Sequence, residues 1–306
     1  MVKQTEKERI LPSVLKPGDT LGIVAPAGSF EQMKLHRGIS VLEQMGFNVF
    51  TPEGLFEKED YLAGSDEHRA HLLNSLFKEE AVKGVICARG GFGSLRILSL
   101  LDYKTIRKSQ KIFIGFSDIT ALLSVFETKC GLISFHGPMV TTLADSDPKS
   151  RESMNLALTS GRKLKIKPSK GLTIRAGSSV GTVSGGNLAT LCHLVGTAFE
   201  PDFNDHILVI EDIEEPNYKI DRMLVQMKLA GCFKGLAGLV LGTFKDCGNL
   251  DGIYRVVEKV FKDDDFPILA GFEIGHGKTN ITFPVGLKAT LDADNHMLLY
   301  HSPATK

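Results

Sequence analysis

The run Lys111-Ile112-Phe113-Ile114-Gly115-Phe116-Ser117-Asp118-Ile119-Thr120 decides how the first half of the chain is read. Apolar residues unbroken by a polar one describe a strand buried on both faces, and such strands belong to parallel sheets covered by helices. Directly after it, residues 118–128 follow a helical pattern that stops near Gly131. Outward from this unit the same alternation repeats. A strand over 20–25 ends at Pro26 and Gly28, a helix over 31–45 is stopped by Gly46, and a strand follows over 47–50. A helix over 67–77 leads into an apolar strand over 84–88, a glycine-rich turn and a helical segment over 95–101. Strands alternating with helices predict an α/β fold whose residues 1–145 form an N-terminal doubly wound parallel-sheet domain. Between Asp145 and Lys170 the composition turns to Ser, Lys, Pro and Gly, which predicts an exposed linker over 146–172. Beyond it, short strands over 207–210, 239–244, 290–292 and 297–300 mix with helices over 187–195, 218–230 and 254–261. Residues 173–306 are therefore expected to form a smaller mixed α/β C-terminal domain.

Composition narrows the function classes. The 306 residues carry 36 Lys plus Arg against 36 Asp plus Glu, so no general field collects polyanions or anionic lipid. Nucleic-acid and membrane partners are not expected. No apolar run approaches the ~20 residues that cross a bilayer, and the N-terminal stretch lacks the apolar core of a secretory signal, so a cytoplasmic protein is expected. The 5 cysteines are odd in number and widely separated, which suits reduced, buried thiols. With no CxxC, HExxH or HxH spacing, no zinc site is expected.

Three glycine-rich segments invite a phosphate reading. Gly91-Phe92-Gly93-Ser94-Leu95-Arg96 puts Arg where a dinucleotide fingerprint needs its third Gly. Gly271 to Thr279 ends in Gly277-Lys278-Thr279, but its first Gly is one position off for a P-loop, and a strand pattern containing Pro284 follows where a helix is required. The third, Val183-Ser184-Gly185-Gly186-Asn187-Leu188, reads either as an anion nest or as a tight turn with Asn187 capping a helix.

Nucleophile chemistry remains. Ser117 sits at the abrupt join of a buried strand and a helix, where free backbone amides favour developing negative charge. The same position suits an ordinary helix N-cap, and Ile119 replaces the second Gly of GxSxG. Glu211 ends the apolar strand His206-Ile207-Leu208-Val209-Ile210, and His276 stands between Gly275 and Gly277. Each has a plain reading, as a solvated strand end and as a loop residue satisfying local backbone. A serine, then an acid, then a histidine is also an order that supports acyl transfer.

Ordered motifs extend along nearly the whole chain: Pro17-Gly18-Asp19 with Val24-Ala25-Pro26-Ala27-Gly28, Tyr61-Leu62-Ala63-Gly64, Arg89-Gly90-Gly91-Phe92-Gly93, Gly115-Phe116-Ser117-Asp118-Ile119-Thr120, His136-Gly137-Pro138-Met139, Gly185-Gly186-Asn187-Leu188, Glu211-Asp212 with Glu215-Pro216 and the run from Tyr218 to Leu224, and Gly275-His276-Gly277. In these the sequence resembles the LD-carboxypeptidases, which remove D-alanine from muropeptides, with the microcin immunity peptidases as a related branch. The resemblance implies a triad split between two domains, with Ser117 as nucleophile, His276 as general base and Glu211 orienting the imidazole. It also implies oxyanion donors at the backbone N–H groups of Gly91 and Asp118, no metal or cofactor, a muropeptide substrate and a homodimer. Phe92 stands where the family commonly has Tyr. The absence of Trp, which the aromatic clamp of the microcin branch would use, favours the muropeptide branch. Arg89, just before the glycine turn, is the candidate anchor for the terminal carboxylate, set against a bracing role in which it pairs with an acid. Two other classes stay open: a non-catalytic α/β ligand-binding protein, and a nucleotide-cofactor enzyme.

Overall fold

The computed structural model describes residues 9–306. Strands β1 (Thr20–Val24), β2 (Asn48–Phe50), β3 (Val82–Cys87), β4 (Ile112–Gly115) and β5 (Ser134–His136) come from the first half. The second half supplies β6 (Lys163–Ile166), β7 (Leu172–Arg175), β8 (Ser178–Asn187), β9 (His206–Ile213), β10 (Gly238–Lys245), β11 (Ile268–Ala270), β12 (Phe283–Val285), β13 (Lys288–Asp292) and β14 (Met297–Pro303). Two sheets result, one in the order β12-β5-β4-β3-β1-β2 and one in the order β6-β14-β13-β8-β9-β10-β11-β7.

In the first sheet β1 to β5 run parallel, as their unbroken apolar character requires: Leu21, Ile23, Val85, Ile86 and all of Ile112–Gly115 are buried. Strand order reverses between β1 and β3, the place where open α/β sheets hold ligands at their carboxyl ends. The helix Asp66–Lys78 begins as its sequence dictates, with Ser65 accepting from His68 N and two acids in the first turn. In the second sheet β8 to β11 are parallel, flanked by antiparallel β7 on one side and β13, β14 and β6 on the other. This is the α/β two-part architecture that the strand and helix alternation predicts.

The linker expectation is corrected. Residues 148–159 form a helix, Pro148–Thr159, started by Asp147 as N-cap with Pro148 in the first turn, and its Met154, Ala157 and Leu158 are buried in the core. Lys163–Ile166 then joins the second sheet as β6. Of the residues that suggested a tether, Pro148, Lys149 and the buried Ser150 form the first turn of this helix, and Lys167 to Lys170 connect β6 to β7. The two sequence halves also interlock. Antiparallel β12 closes the first sheet against β5, and the C-terminal Lys306 exchanges backbone hydrogen bonds with Pro12 and Val14. One apolar core runs through both sheets, from Leu21 and Phe113 to Val209, Val240 and Leu298, and a second lies under the helices Asn217–Leu229 and Leu250–Val260.

Candidate active site

Ser117 follows β4 by two residues and opens a helical run made of a 3₁₀ turn Ser117–Ile119, an α-helix Thr120–Val125 and a π turn Phe126–Cys130. Its φ is +63°, a left-handed value that costs a non-glycine residue about 1–2 kcal/mol and turns the hydroxyl out of the strand direction. The bend exists because Gly115 has no Cβ; one there would stand 2.7 Å from Ile119 Cγ2. Gly90, at the end of β3, likewise lets the glycine turn approach, since a Cβ would stand 3.0 Å from Ser117 Cβ. Ser117 Oγ makes no cap bond to the helix and lies 3.0 Å from His276 Nε2.

His276 sits between β11 and β12, 159 residues from Ser117 in sequence. Its Nδ1 is 2.7 Å from Glu211 Oε2, and its backbone N–H donates to the same oxygen at 3.3 Å. Because Nδ1 faces a carboxylate it carries the proton, and Nε2 is left to accept from the Ser117 hydroxyl. Glu211 is wholly buried, and its Oε1 has no hydrogen-bond partner among the described residues, so its bonding falls on the oxygen that faces His276. The slot for this carboxylate needs Gly275, where a Cβ would lie 2.1 Å from Oε2, at a φ of +103°. Phe116 lies against the imidazole with ring centroids 4.9 Å apart.

Strand alternation sends Asp212 the other way. It accepts from Asn187 Nδ2 at 2.8 Å, Ala189 N at 3.0 Å and Ile213 N at 2.9 Å. Burial pushes its carboxyl up to about 6 despite the Ile213 N–H, and neighbouring Glu211 adds to the rise. Asn187 does cap a helix, Leu188–Leu194, by accepting from Thr190 N, but Gly185 and Gly186 lie inside β8 and make no turn. They are glycine because a Cβ on Gly185 would meet Val209 O at 2.0 Å and one on Gly186 would meet Thr120 Oγ1 at 2.4 Å.

The glycine turn is held from below. Arg69 is fully buried and donates to Pro26 O, Gly64 O and Gly93 O while pairing with Asp66. Asp118 accepts from Ser94 N at 2.8 Å, and Ser94 Oγ donates to Asp118 O at 2.6 Å, which ties the turn to the residue after Ser117. Burial raises the Asp118 carboxyl, with the Ser94 N–H opposing. The N–H groups of Gly91 and Asp118 donate to no group among the described residues. Arg89 is exposed and donates from Nη1 to Ser29 O; no acid pairs with it among the described residues.

Several supports were missed in the sequence. Asp147 accepts from Thr279 Oγ1, Ser150 Oγ accepts from Asn280 N at 2.9 Å, and Asn280 Oδ1 accepts from Gly275 N at 2.9 Å. The helix in the segment read as linker thus anchors the loop that carries His276. Asp147 followed by Pro148 is a helix-start signal that would have found it. Arg69 was legible as a charge on the apolar stripe of Leu73 and Leu76. His136, which the sequence offers within the motif His136-Gly137-Pro138-Met139, is buried against Phe283, and burial, with His276 nearby, lowers its imidazole to about 3.

Residues 21–137 match the family description "LD-carboxypeptidase N-terminal domain" and residues 180–291 match "LD-carboxypeptidase C-terminal domain". A probable murein peptide carboxypeptidase of Bacillus subtilis strain 168 is 37% identical over 290 residues, covering 92% of this chain and 91% of that one. A solved muramoyltetrapeptide carboxypeptidase from Oxalobacter formigenes is 30% identical with a TM-score of 0.82, over 92% of this chain and 97% of that one. A MccF-like protein from Bacillus anthracis is 26% identical with a TM-score of 0.89, over 95% of this chain and 98% of that one. With both domain descriptions matched in order and relatives similar along nearly their full length, the chain belongs to the LD-carboxypeptidase family.

Proposed function

We propose that the protein is a serine carboxypeptidase that hydrolyses the L,D-peptide bond releasing terminal D-alanine from muropeptides. The observation that carries this reading is the hydrogen-bonded path from Ser117 Oγ through His276 to the buried Glu211. Ser117 attacks the scissile carbonyl carbon while His276 Nε2 takes its proton, and Glu211 holds the Nδ1–H tautomer and stabilises the imidazolium. The carbonyl oxygen gains charge beside the Gly91 and Asp118 N–H groups, which donate to no other group among the described residues. His276 then gives its proton to the leaving D-alanine amine. Water, deprotonated by the same imidazole, releases the acyl group and restores the serine.

Arg89 completes the reading as carboxylate anchor, supported by its place beside the turn and by a guanidinium of which one N–H is committed to Ser29. Recycling of cell-wall peptides in the cytoplasm agrees with 5 buried free cysteines and with the absence, among the described residues, of any helix long and apolar enough to cross a membrane. A homodimer, which the family resemblance implies, is checked by sedimentation. The similarity to MccF-like proteins keeps a microcin-immunity substrate as the second reading, and the lack of any Trp weighs against it.

The test is incubation with a panel of muropeptides and a peptidyl-nucleotide, with products weighed. Release of D-alanine from the tetrapeptide, lost by ~10⁴-fold or more in a folded Ser117→Ala variant, is expected. Turnover retained in that variant, or cleavage of the peptidyl-nucleotide alone, overturns the reading.

A further inference from the structure

The helical run that starts at Ser117 ends beside a second histidine–carboxylate pair. Glu127 lies ten residues along the run, about 15 Å at helical rise, and is buried. Its Oε1 is 3.1 Å from His206 Nε2, and Arg9 Nη2 approaches the same oxygen at 3.3 Å. Its Oε2 accepts from Ser184 Oγ at 2.6 Å. His206 opens β9, the strand that carries Glu211 five residues later, about 17 Å away at strand rise. The run and the strand are therefore struts of nearly equal length. They meet at Ser117, His276 and Glu211 at one end and at Glu127 and His206 at the other. Between the ends, β8 pairs with β9 in register, Asn187 opposite Glu211 and Thr182 opposite His206, and touches the run twice. Ser184 bonds Glu127, and Asn187 N donates to Thr120 Oγ1 at 3.0 Å.

We propose that Glu127 and His206 are positioning residues that clasp the nucleophile's helical run to the triad's acid-bearing strand, and so set the register of Ser117 against His276. This rests on the triad reading above. The donor geometry fixes the charge state of the clasp. His206 Nδ1 is 2.6 Å from Asn204 O and Nε2 faces a carboxylate, so each ring nitrogen points at an acceptor and both carry protons. The charged groups facing the imidazole are Glu127 from the helical run and Arg9 from the N-terminal segment, with Phe203 edge-on at 6.4 Å. Burial alone would lower the His206 imidazole, but the Glu127 hydrogen bond and charge, helped by the Asn204 carbonyl, raise it against the opposition of Arg9. Burial correspondingly pushes Glu127 up, and His206, Arg9 and Ser184 outweigh that and hold it below the usual carboxylate range.

A histidine raised in the folded state stabilises fully below its unfolded value near 6.5 and loses that contribution as pH rises through the folded value. The clasp therefore loosens on the alkaline side.

The experiment follows labelling of Ser117 by a fluorophosphonate probe across pH in wild type, His206→Gln and Glu127→Gln, with thermal unfolding recorded in parallel. The imidazole nitrogen shifts of the unaltered protein are measured as well. The expected result is labelling slowed by about tenfold or more in folded variants near neutral pH, the size a sub-ångström misplacement produces, and loss of the alkaline limb that wild type shows. His206 of the unaltered protein is expected to show both nitrogens protonated at neutral pH. Folded variants that label within about twofold of wild type with an unchanged profile overturn the proposal, as does a neutral His206 imidazole. A wild type that the probe does not label refutes the triad, and the nitrogen shifts still decide the charge state of the clasp.

Discussion

Gly275→Ala tests the triad geometry without touching any of its members. A methyl at this position would stand 2.1 Å from Glu211 Oε2 and 2.6 Å from both Cδ and Cγ. Ordinary carbon contact begins near 3.5 Å, so the carboxylate must withdraw by roughly 1.4 Å. It has little room, because Glu211 is wholly buried. Withdrawal from the loop stretches the 2.7 Å bond to His276 Nδ1 beyond hydrogen-bond range and releases the imidazole tautomer. A misplacement of about 1 Å costs ~10²-fold and loss of the tautomer ~10⁴-fold, so kcat should fall by ~10²–10⁴. The φ of +103° adds strain of about 1–3 kcal/mol to the folded state. Gly277→Ala is the control, because its Cβ would come no nearer than 3.1 Å to Thr243 Oγ1 and its φ is not positive. D-Alanine release measured on both variants, with unfolding monitored by circular dichroism, should separate them by at least tenfold. Equal activity in two folded variants would refute the claim that the Glu211 slot controls His276.

Glu211→Gln should lower kcat strongly by spoiling the tautomer, whereas Asp212→Asn should be milder; the reverse ranking in steady-state kinetics would exchange their roles. Asp212 titrates higher in the folded chain, at about 6, than unfolded, near 3.9, so its ionisation makes wild-type stability fall by about 1–3 kcal/mol as pH rises between those values. Chemical denaturation across that window should show Asp212→Asn without the decline. Arg89→Gln should weaken kcat/KM for a free-acid tetrapeptide by about 1.5–3 kcal/mol and leave a C-terminally amidated analogue nearly unaffected; equal losses on both would leave Arg89 a brace for Ser29.

How much of this was legible differs from element to element. The strand Ile112–Gly115 and the helical run after it could be read because burial on both faces leaves an unbroken apolar signature. β8 could not, because its Ser179-Val180-Gly181-Thr182-Val183-Ser184-Gly185-Gly186 carries turn composition; its glycines answer to the Val209 backbone and to Thr120, partners distant in sequence. The helix Pro148–Thr159 resembles a tether in sequence because its buried stripe is thin, Ser150, Met154, Ala157 and Leu158 among Ser, Lys, Arg and Glu.

The sequence by itself determined the α/β alternation, the order serine, acid, histidine, and the rule that Glu211 and Asp212 face opposite ways. All of these follow from local periodicity and residue type. Periodicity left open which of Glu211 and Asp212 turns to His276, a choice the family motifs made; only the tertiary structure decided that the loop of His276 hangs from Asp147 and Ser150 and that Glu127 meets His206. Such contacts are made across tens to more than a hundred residues by groups whose local patterns are common to many loops and helix faces. Strand register, which the apolar faces of partners distant in sequence select, brings them together.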